Sequence, residues 1–475
     1  MLAILRLCDH DAQHGLCPRR APSVMFVLLV AVPTFSVLWR LFFHTSPYPL
    51  PPRPRGEPVL GHIRLVPTEN PHLYYQKLAE EYDSDILVPL RKAVWSNIET
   101  YKNKKHARLF HTITQRPEDW EVALRRFASA IVLRVAFGIA LEDDDDEYIK
   151  IAADAINATG NGGSPGATIV DYLPFLGHLP YWMVPSQAIR HAKKWGTAIQ
   201  RLHDIPFAAA QKEFNDGRAP KPSYVSSLLE KHAQNEARGL FNDFSLKDIN
   251  GSAAAVFIAG SDTTFATTLV GILNLLLHPA IFHKARELLD QTIGPDRLPS
   301  LKDRDNPKLL YLEHIVQEIV RWRPLSPLGV PHKSLHDDVY NDMFIPRGTS
   351  VYFNTWAMSR DRAVYRDPDL FNPARYLPAE HGGAGEPYLQ GPFGFGRRVC
   401  VGRHLALASV WIVLATLLAT VDLAKPVDPH GRLRDPVVAF TTGLSSHPLH
   451  FDCRFRARSR TAASLLASAV SRDLV

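Results

Sequence analysis

The stretch from Pro392 to Arg403, Pro-Phe-Gly-Phe-Gly-Arg-Arg-Val-Cys-Val-Gly-Arg, holds the residues best suited to chemistry. Cys400 follows a loop of glycines and arginines and precedes the apolar run Leu405 to Ala408, where a loop turns into a helix. Unpaired backbone N–H groups and a positive macrodipole at a helix start favour an anion, so the position suits a thiolate, the form of cysteine that ligates metals. A second polar cluster, Ala259-Gly260-Ser261-Asp262-Thr263-Thr264, interrupts an apolar run from Asn250 to Leu277. Helix propensity disfavours such residues in mid-helix, and a break of a local rule points to function. The Thr263 hydroxyl reaches the Ala259 carbonyl at i−4, which would open the ladder beside Gly260 and make room for a small ligand or water. Glu318 and Arg321, at i and i+3, share one helix face.

These residues also form an ordered set. Phe393, Gly396, Arg398, Cys400 and Gly402 fit F-x-x-G-x-R-x-C-x-G, which resembles the haem-binding loop of the cytochromes P-450. The segment around Thr263 resembles that family's oxygen-binding helix, A/G-G-x-D/E-T. Glu318-x-x-Arg321, then Phe371-Asn372-Pro373-Ala374-Arg375, then the cysteine loop follow in the family's order, with Ala374 where a Glu is usual. The resemblance, to a fungal-type microsomal member over residues 47 to 458, implies a fold that is mainly α with a minor β region. It implies haem b with Cys400 as axial ligand to iron, Arg398 and His332 toward the propionates, and Phe393 and Gly396 beside the sulfur. Asp262 and Thr263 would relay protons to O₂, and a Glu318, Arg321, Arg375 network would fix the cysteine loop. A small apolar organic substrate and NADPH–cytochrome P-450 reductase are the implied partners.

The elements that must position these residues are legible from periodicity and punctuation. Helices are expected over 121–139, 146–158, 188–214, 250–277 with Ser245 as cap, 309–323, and from Gly402 to about Val421. Short strands with turns at Asn341-Asp342 and Pro346-Arg347-Gly348 are expected between Val339 and Tyr352, and a hairpin over 438–451 with its tip near Gly443 and Leu444. The acidic run 142–147 reads as a solvated turn, lacking a calcium-loop pattern. Before them, Ala21 to Trp39 carries no charge and is long enough to span a bilayer, followed by the proline-rich stretch Pro47 to Gly56. The expected organisation is a leader (1–20), a single-pass anchor in the endoplasmic reticulum membrane (21–43), a stiff hinge (44–56), one large haem domain facing the cytoplasm (57–458) and a flexible tail (459–475). A cleaved signal peptide is the competing reading of the apolar run.

With 46% hydrophobic residues the 475-residue chain can bury a large core. Its four cysteines form no C-x-x-C pair and no zinc spacing. The net charge of +6 is scattered and accompanies no nucleic-acid motif, so a membrane lipid or an acidic protein is the expected partner and nucleic acid is not. One interval departs from the family pattern. After Asp85 to Val88 the chain passes within a few residues to Lys102–Arg108 and Arg116-Pro117-Glu118-Asp119-Trp120, with no counterpart of a substrate-facing loop or of a Trp-x-x-x-Arg propionate clamp. A catalytically impaired haem-binding remnant is therefore the alternative to an active monooxygenase. A cysteine hydrolase ranks below both, since no His and Asn arrangement accompanies Cys400.

Overall fold

The computed structural model describes residues 99–141, 147–160, 176–177, 179, 187–217, 223–242, 244–428 and 430–471. The expected anchor, the hinge, a helix expected over 70–81, a strand start at 85–88, the acidic turn and an apolar segment at 173–184 lie wholly or largely outside them. Contacts divide the described residues into two units, Lys333–Val351 and the remainder.

In the larger unit, α1 (Glu99–Gln115) leads through a single 3₁₀ turn at Pro117–Asp119 into α2 (Trp120–Phe137). Gly138 ends α2 in the left-handed conformation, with φ of 79°, and its N–H donates to the Arg134 carbonyl at 3.1 Å. Then follow α3 (Glu147–Gly160), α4 (Gln187–Asn215), α5 (Tyr224–Ala237), α6 (Leu246–Leu277), α7 (Pro279–Thr292), α8 (Leu310–Trp322), α9 (Thr355–Met358), α10 (Arg403–Thr420) and α11 (Arg460–Ser471). The bounds of α2, α3, α4, α6, α8 and α10 agree with the expected helices to within a few residues, α1, α5, α7, α9 and α11 lie where none is expected, and the fold is mainly α.

The long helix α6 organises this unit. Ser245 caps it: its hydroxyl accepts from the Asp248 N–H while the Asp248 carboxylate accepts from the Ser245 N–H, a reciprocal capping box. Its N-terminal half packs with α2, α3, α4 and α5, where Phe257 meets Phe137 edge-on, and its C-terminal half joins α1, α8 and α10 in the larger core. Both α6 and α10 are long and apolar enough to cross a membrane, yet most of the apolar window of each is buried within the protein. The expected widening at Gly260 is corrected here. The helix is continuous, and a Cβ at Gly260 would lie 2.7 Å from Val132 Cγ2, so this glycine lets α2 approach closely. Gly271 does the same for α8, since a Cβ there would lie 2.9 Å from Ile319 Cδ1.

The C-terminus of α10 is closed by arginines from elsewhere in the chain. Arg286 donates to the carbonyls of Leu418 (2.9 Å) and Val421 and pairs with Asp422, while the Arg458 N–H reaches the Thr420 carbonyl at 2.9 Å. There the chain enters β3 (Val421–Ala424), antiparallel to β4 (Arg454–Ala457), a pairing with no sequence expectation behind it. In the smaller unit β1 (Asp338–Tyr340) and β2 (Met343–Ile345) form the expected hairpin, whose turn residues Asn341 and Asp342 both have positive φ. The hairpin expected over 438–451 reduces to one bridge, Phe440 to Pro448, closed by Thr441 N–H on the His447 carbonyl at 2.9 Å.

The flexible tail is also corrected. Residues 460–471 form α11, which lies on α1 with Leu466 fully buried in the larger core, because Ala462 and Leu466 recur at the helical i, i+4 spacing. Leu466→Ala should therefore destabilise the protein by about 2–5 kcal/mol, read as a lower urea midpoint, whereas an unpacked tail would leave the midpoint unchanged.

Candidate functional site

The cysteine loop is built from backbone conformations that side chains disfavour. Gly391, Gly394 and Gly396 have φ of 79°, 77° and 63°, and a Cβ on Gly391 would overlap the Phe395 ring. Within this loop the Cys400 N–H donates to the Phe393 carbonyl at 2.8 Å, and Arg403 donates to the Cys400 carbonyl at 2.9 Å. The backbone of Cys400 is thus held on both sides while its side chain stays exposed. Gly402 is the N-cap of α10, and a Cβ there would sit 3.8 Å from Cys400 Sγ. Phe393 contributes its carbonyl, and Gly396 its left-handed turn.

The aromatic support of the loop is Phe395 rather than Phe393. Its ring meets Phe353 edge-on at 5.2 Å, and Phe353 meets His332 at 5.8 Å, which links His332 to the loop. Gly329 is required at this point, since a Cβ would lie 2.1 Å from the Phe353 ring. His332 and Arg398 are both exposed, and neither side chain has a hydrogen bond or ion pair among the described residues. Both could donate to the carboxylates of a cofactor.

On α6 the Thr263 hydroxyl donates to the Ala259 carbonyl at 2.7 Å, the bond its spacing allows. Ala255 and Ala259 are exposed and Thr263 partly so, an i, i+4 stripe left open on a helix otherwise largely buried. Small residues with one hydroxyl leave a low, mostly apolar surface that suits a flat macrocycle and a small ligand above it. Asp262, beside it in sequence, is buried, 9% exposed.

Glu318, Arg321 and Arg375 come together completely inside the protein. The Glu318 carboxylate accepts from Arg321 Nε and Nη2 (both 2.8 Å), Arg375 Nε (3.1 Å), the Tyr376 hydroxyl (2.8 Å) and the Asn372 N–H (2.8 Å). Arg375 is paired a second time, with Glu386 at 2.5 Å. The remaining guanidinium donors reach the carbonyls of Ser359, Arg366, Asp367, Pro368 and Leu370, which fixes the irregular segment leading to the cysteine loop. Burial alone would lower the Arg321 pKa, but the adjacent Glu318 carboxylate outweighs it and the net shift is upward. Burial and the same carboxylate push the Tyr376 phenol far up.

Beside the network, Trp356 stacks with two guanidiniums, Arg360 at 3.2 Å and Arg323 at 4.7 Å from the ring centre. Burial, and then the charges of Arg323 and Arg321, bring Arg360 down to about 9. Tyr376, Glu386, Phe353, Trp356 and the two arginines carry no sequence signal, since none belongs to a spaced motif. Only Phe395, at an unspecified position between Phe393 and Gly396, lies within the recognised pattern. Glu318→Ala would leave two buried guanidiniums short of counter-charge and should cost about 3–5 kcal/mol, measured by urea unfolding of variant and parent.

Comparison with known proteins matches this constellation to a described family. The model of the cytochrome P450 family matches residues 96–445. Cytochrome P450 monooxygenase 136 of Postia placenta is 35% identical over 380 residues, covering 79% of this chain and 70% of that protein. Cytochrome P450 monooxygenase 98 of the same fungus is 30% identical over 514 residues, covering 93% and 97%. Cytochrome P450 monooxygenase claR of Ampulloclitocybe clavipes is 30% identical over 513 residues, covering 94% and 93%. In these last two alignments 93% and 94% of 475 residues amount to about 440, so about 70 positions of each relative face no residue of this chain.

Proposed function

The chain belongs to the cytochrome P450 family, oxygen-incorporating oxidoreductases that use haem on a cysteine thiolate, and from that premise we propose that Cys400 is its axial ligand. The observation that carries this is the exposed Cys400 side chain on a backbone pinned at the Phe393 carbonyl and by Arg403. Arg398 and His332, exposed and without hydrogen-bond or ion-pair partners among the described residues, hold the propionates. The open stripe Ala255, Ala259 and Thr263 would lie against the cofactor and a small ligand, and the Glu318, Arg321, Arg375 network keeps the segment before the loop in register.

When bound, the haem activates O₂ with electrons from NADPH, delivered by NADPH–cytochrome P450 reductase, and one oxygen atom enters a small apolar organic substrate. The protein's own part is positional and protonic. Thr263 would exchange its bond to the Ala259 carbonyl for donation toward the bound ligand, and Asp262 would restore its proton. The site's apolar surface admits apolar molecules and excludes water, and secondary metabolism or detoxification is the role that fits such a substrate. Residues 21–43 anchor the protein in the endoplasmic reticulum membrane, with the catalytic part on the cytoplasmic side. In the reduced, carbon monoxide-bound protein the strongly red-shifted Soret band of thiolate ligation is expected, and Cys400→Ser should lose it. A band unchanged in the variant would remove Cys400 from the site.

A second reading, a catalytically impaired form, is favoured by the roughly 70 positions without counterpart. We infer that they fall between Ile86 and Lys105. The family match begins within that interval, at residue 96, and the motifs after it stand complete and in order. Loss of a wall of the haem site in one piece fits a missed exon better than gradual change, since it exposes a haem face to water. Expressed beside the product of the full transcript, this form should retain several-fold less haem on gel filtration and release more peroxide per NADPH. A transcript encoding the present sequence, with firm haem retention, would overturn this reading.

A further inference from the structure

Among the described residues, Asp262 is the one member of the polar cluster on α6 whose side chain is hydrogen-bonded to a distant part of the chain. Its Oδ2 accepts a 3.0 Å hydrogen bond from the Ser445 hydroxyl, and its Oδ1 is buried with no protein partner among the described residues. Ser445 lies in the loop closed by the Phe440–Pro448 bridge, and the Thr441 hydroxyl reaches its carbonyl at 3.4 Å. Two further contacts hold that region against the same helices. The His447 ring meets Phe265 of α6 at 6.4 Å, and His450 meets Glu121 of α2 at 2.9 Å. Arg125 of α2 closes the arrangement with its guanidinium 3.9 Å from the Phe265 ring centre. Burial pulls Arg125 below its ordinary pKa, and the carboxylates of Asp262 and Glu121 push it back up.

A buried carboxylate with one charge-assisted bond is fixed in orientation by that bond and keeps its second oxygen available for a proton. We propose that Ser445 is a positioning residue of the proton relay: its hydroxyl sets the orientation of Asp262 and ties the relay to the loop between Ala439 and Leu449. The proposal rests on the reading of Asp262 and Thr263 given above. Without the Ser445 donor the carboxylate would be buried with neither oxygen hydrogen-bonded by protein, and it would swing toward water or toward Arg125, out of step with Thr263.

Two measurements on the full chain test this. In the first, which needs no haem, hydrogen exchange of the peptide 439–449 is followed. Ser445→Ala and Asp262→Ala should each speed exchange by about tenfold, the worth of one hydrogen bond to a charged group, and the double variant should add little to either. In the second, on haem-loaded protein, Ser445→Ala should raise peroxide release per NADPH several-fold and enlarge the solvent isotope effect on turnover, while Ser445→Thr, which keeps the hydroxyl, should restore both. Exchange in Ser445→Ala equal to the parent, or Ser445→Thr behaving as Ser445→Ala, would overturn the proposal. Thr263→Ala separates the two levels: coupled turnover in that variant defeats the relay itself, whereas uncoupling there beside a parent-like Ser445→Ala defeats only the role of Ser445.

Discussion

One buried carboxylate, Glu318, sets the terms for the irregular half of the molecule. It accepts five hydrogen bonds, three of them from guanidinium groups of Arg321 and Arg375. A lone buried charge is expensive, so each member of this set is required by the others. The consequence is geometric. Residues 359–386 hold only two 3₁₀ turns, so most of their backbone carbonyls lie outside any helix or strand ladder. The two arginines supply donors to five of them, converting a coil into a fixed lead-in to the Cys400 loop. Burial gives this network its rigidity, and its net worth against an apolar core of similar volume is small; what it supplies is a single conformation.

The helix α6 carries two obligations on different faces, and residue size reconciles them. Gly260 and Gly271 let α2 and α8 approach to distances that a methyl group would block. Ala255, Ala259 and Thr263 leave a separate stripe low and open. Small residues in mid-helix thus serve packing on one side and access on the other, so the propensity lost is recovered in tertiary contact. The hydroxyls of Thr263, Thr267 and Thr268 each bond the carbonyl four residues back, at 2.7–2.8 Å, so these three hydroxyls run through an apolar helix without being orphaned.

Periodicity and spacing make most of this legible in advance. The helices α2, α3, α4, α6, α8 and α10 follow apolar patterns that are local properties, and the cysteine loop, the Glu318–Arg321 pair and Arg375 lie in fixed patterns. What is not legible depends on partners far apart in sequence. Phe353 supports Phe395 from 42 residues away, Glu386 shares Arg375, and Ser445 reaches Asp262 across 183 residues. The pairing of β3 with β4 leaves no signal because each strand has only four residues and stands beside a helix. Gly260 invites the wrong reading for a related reason: a glycine amid polar residues looks like a place for a ligand, and only the position of Val132 shows that it is a place for α2. The tail reads as flexible because it follows the last motif, although Ala462 and Leu466 already carry a helical stripe.

Folding and function separate cleanly in this chain. The larger core is closed by α1, α2, α6, α7, α8, α10 and α11, and the smaller by α2 to α6, each with fully buried side chains. The positions present in the relatives and absent here are therefore not needed to seal either cluster. The surfaces that stay open are others, namely the Ala255–Thr263 stripe, Arg398, His332 and Cys400. A protein can lose such a covering and keep its core, because the covering's contribution to stability is made mainly through the ligand it encloses. Selection on the fold and selection on the site thus act on different residues. The sequence that builds the cysteine loop and the Glu318 network can persist intact in a chain whose cofactor is poorly enclosed.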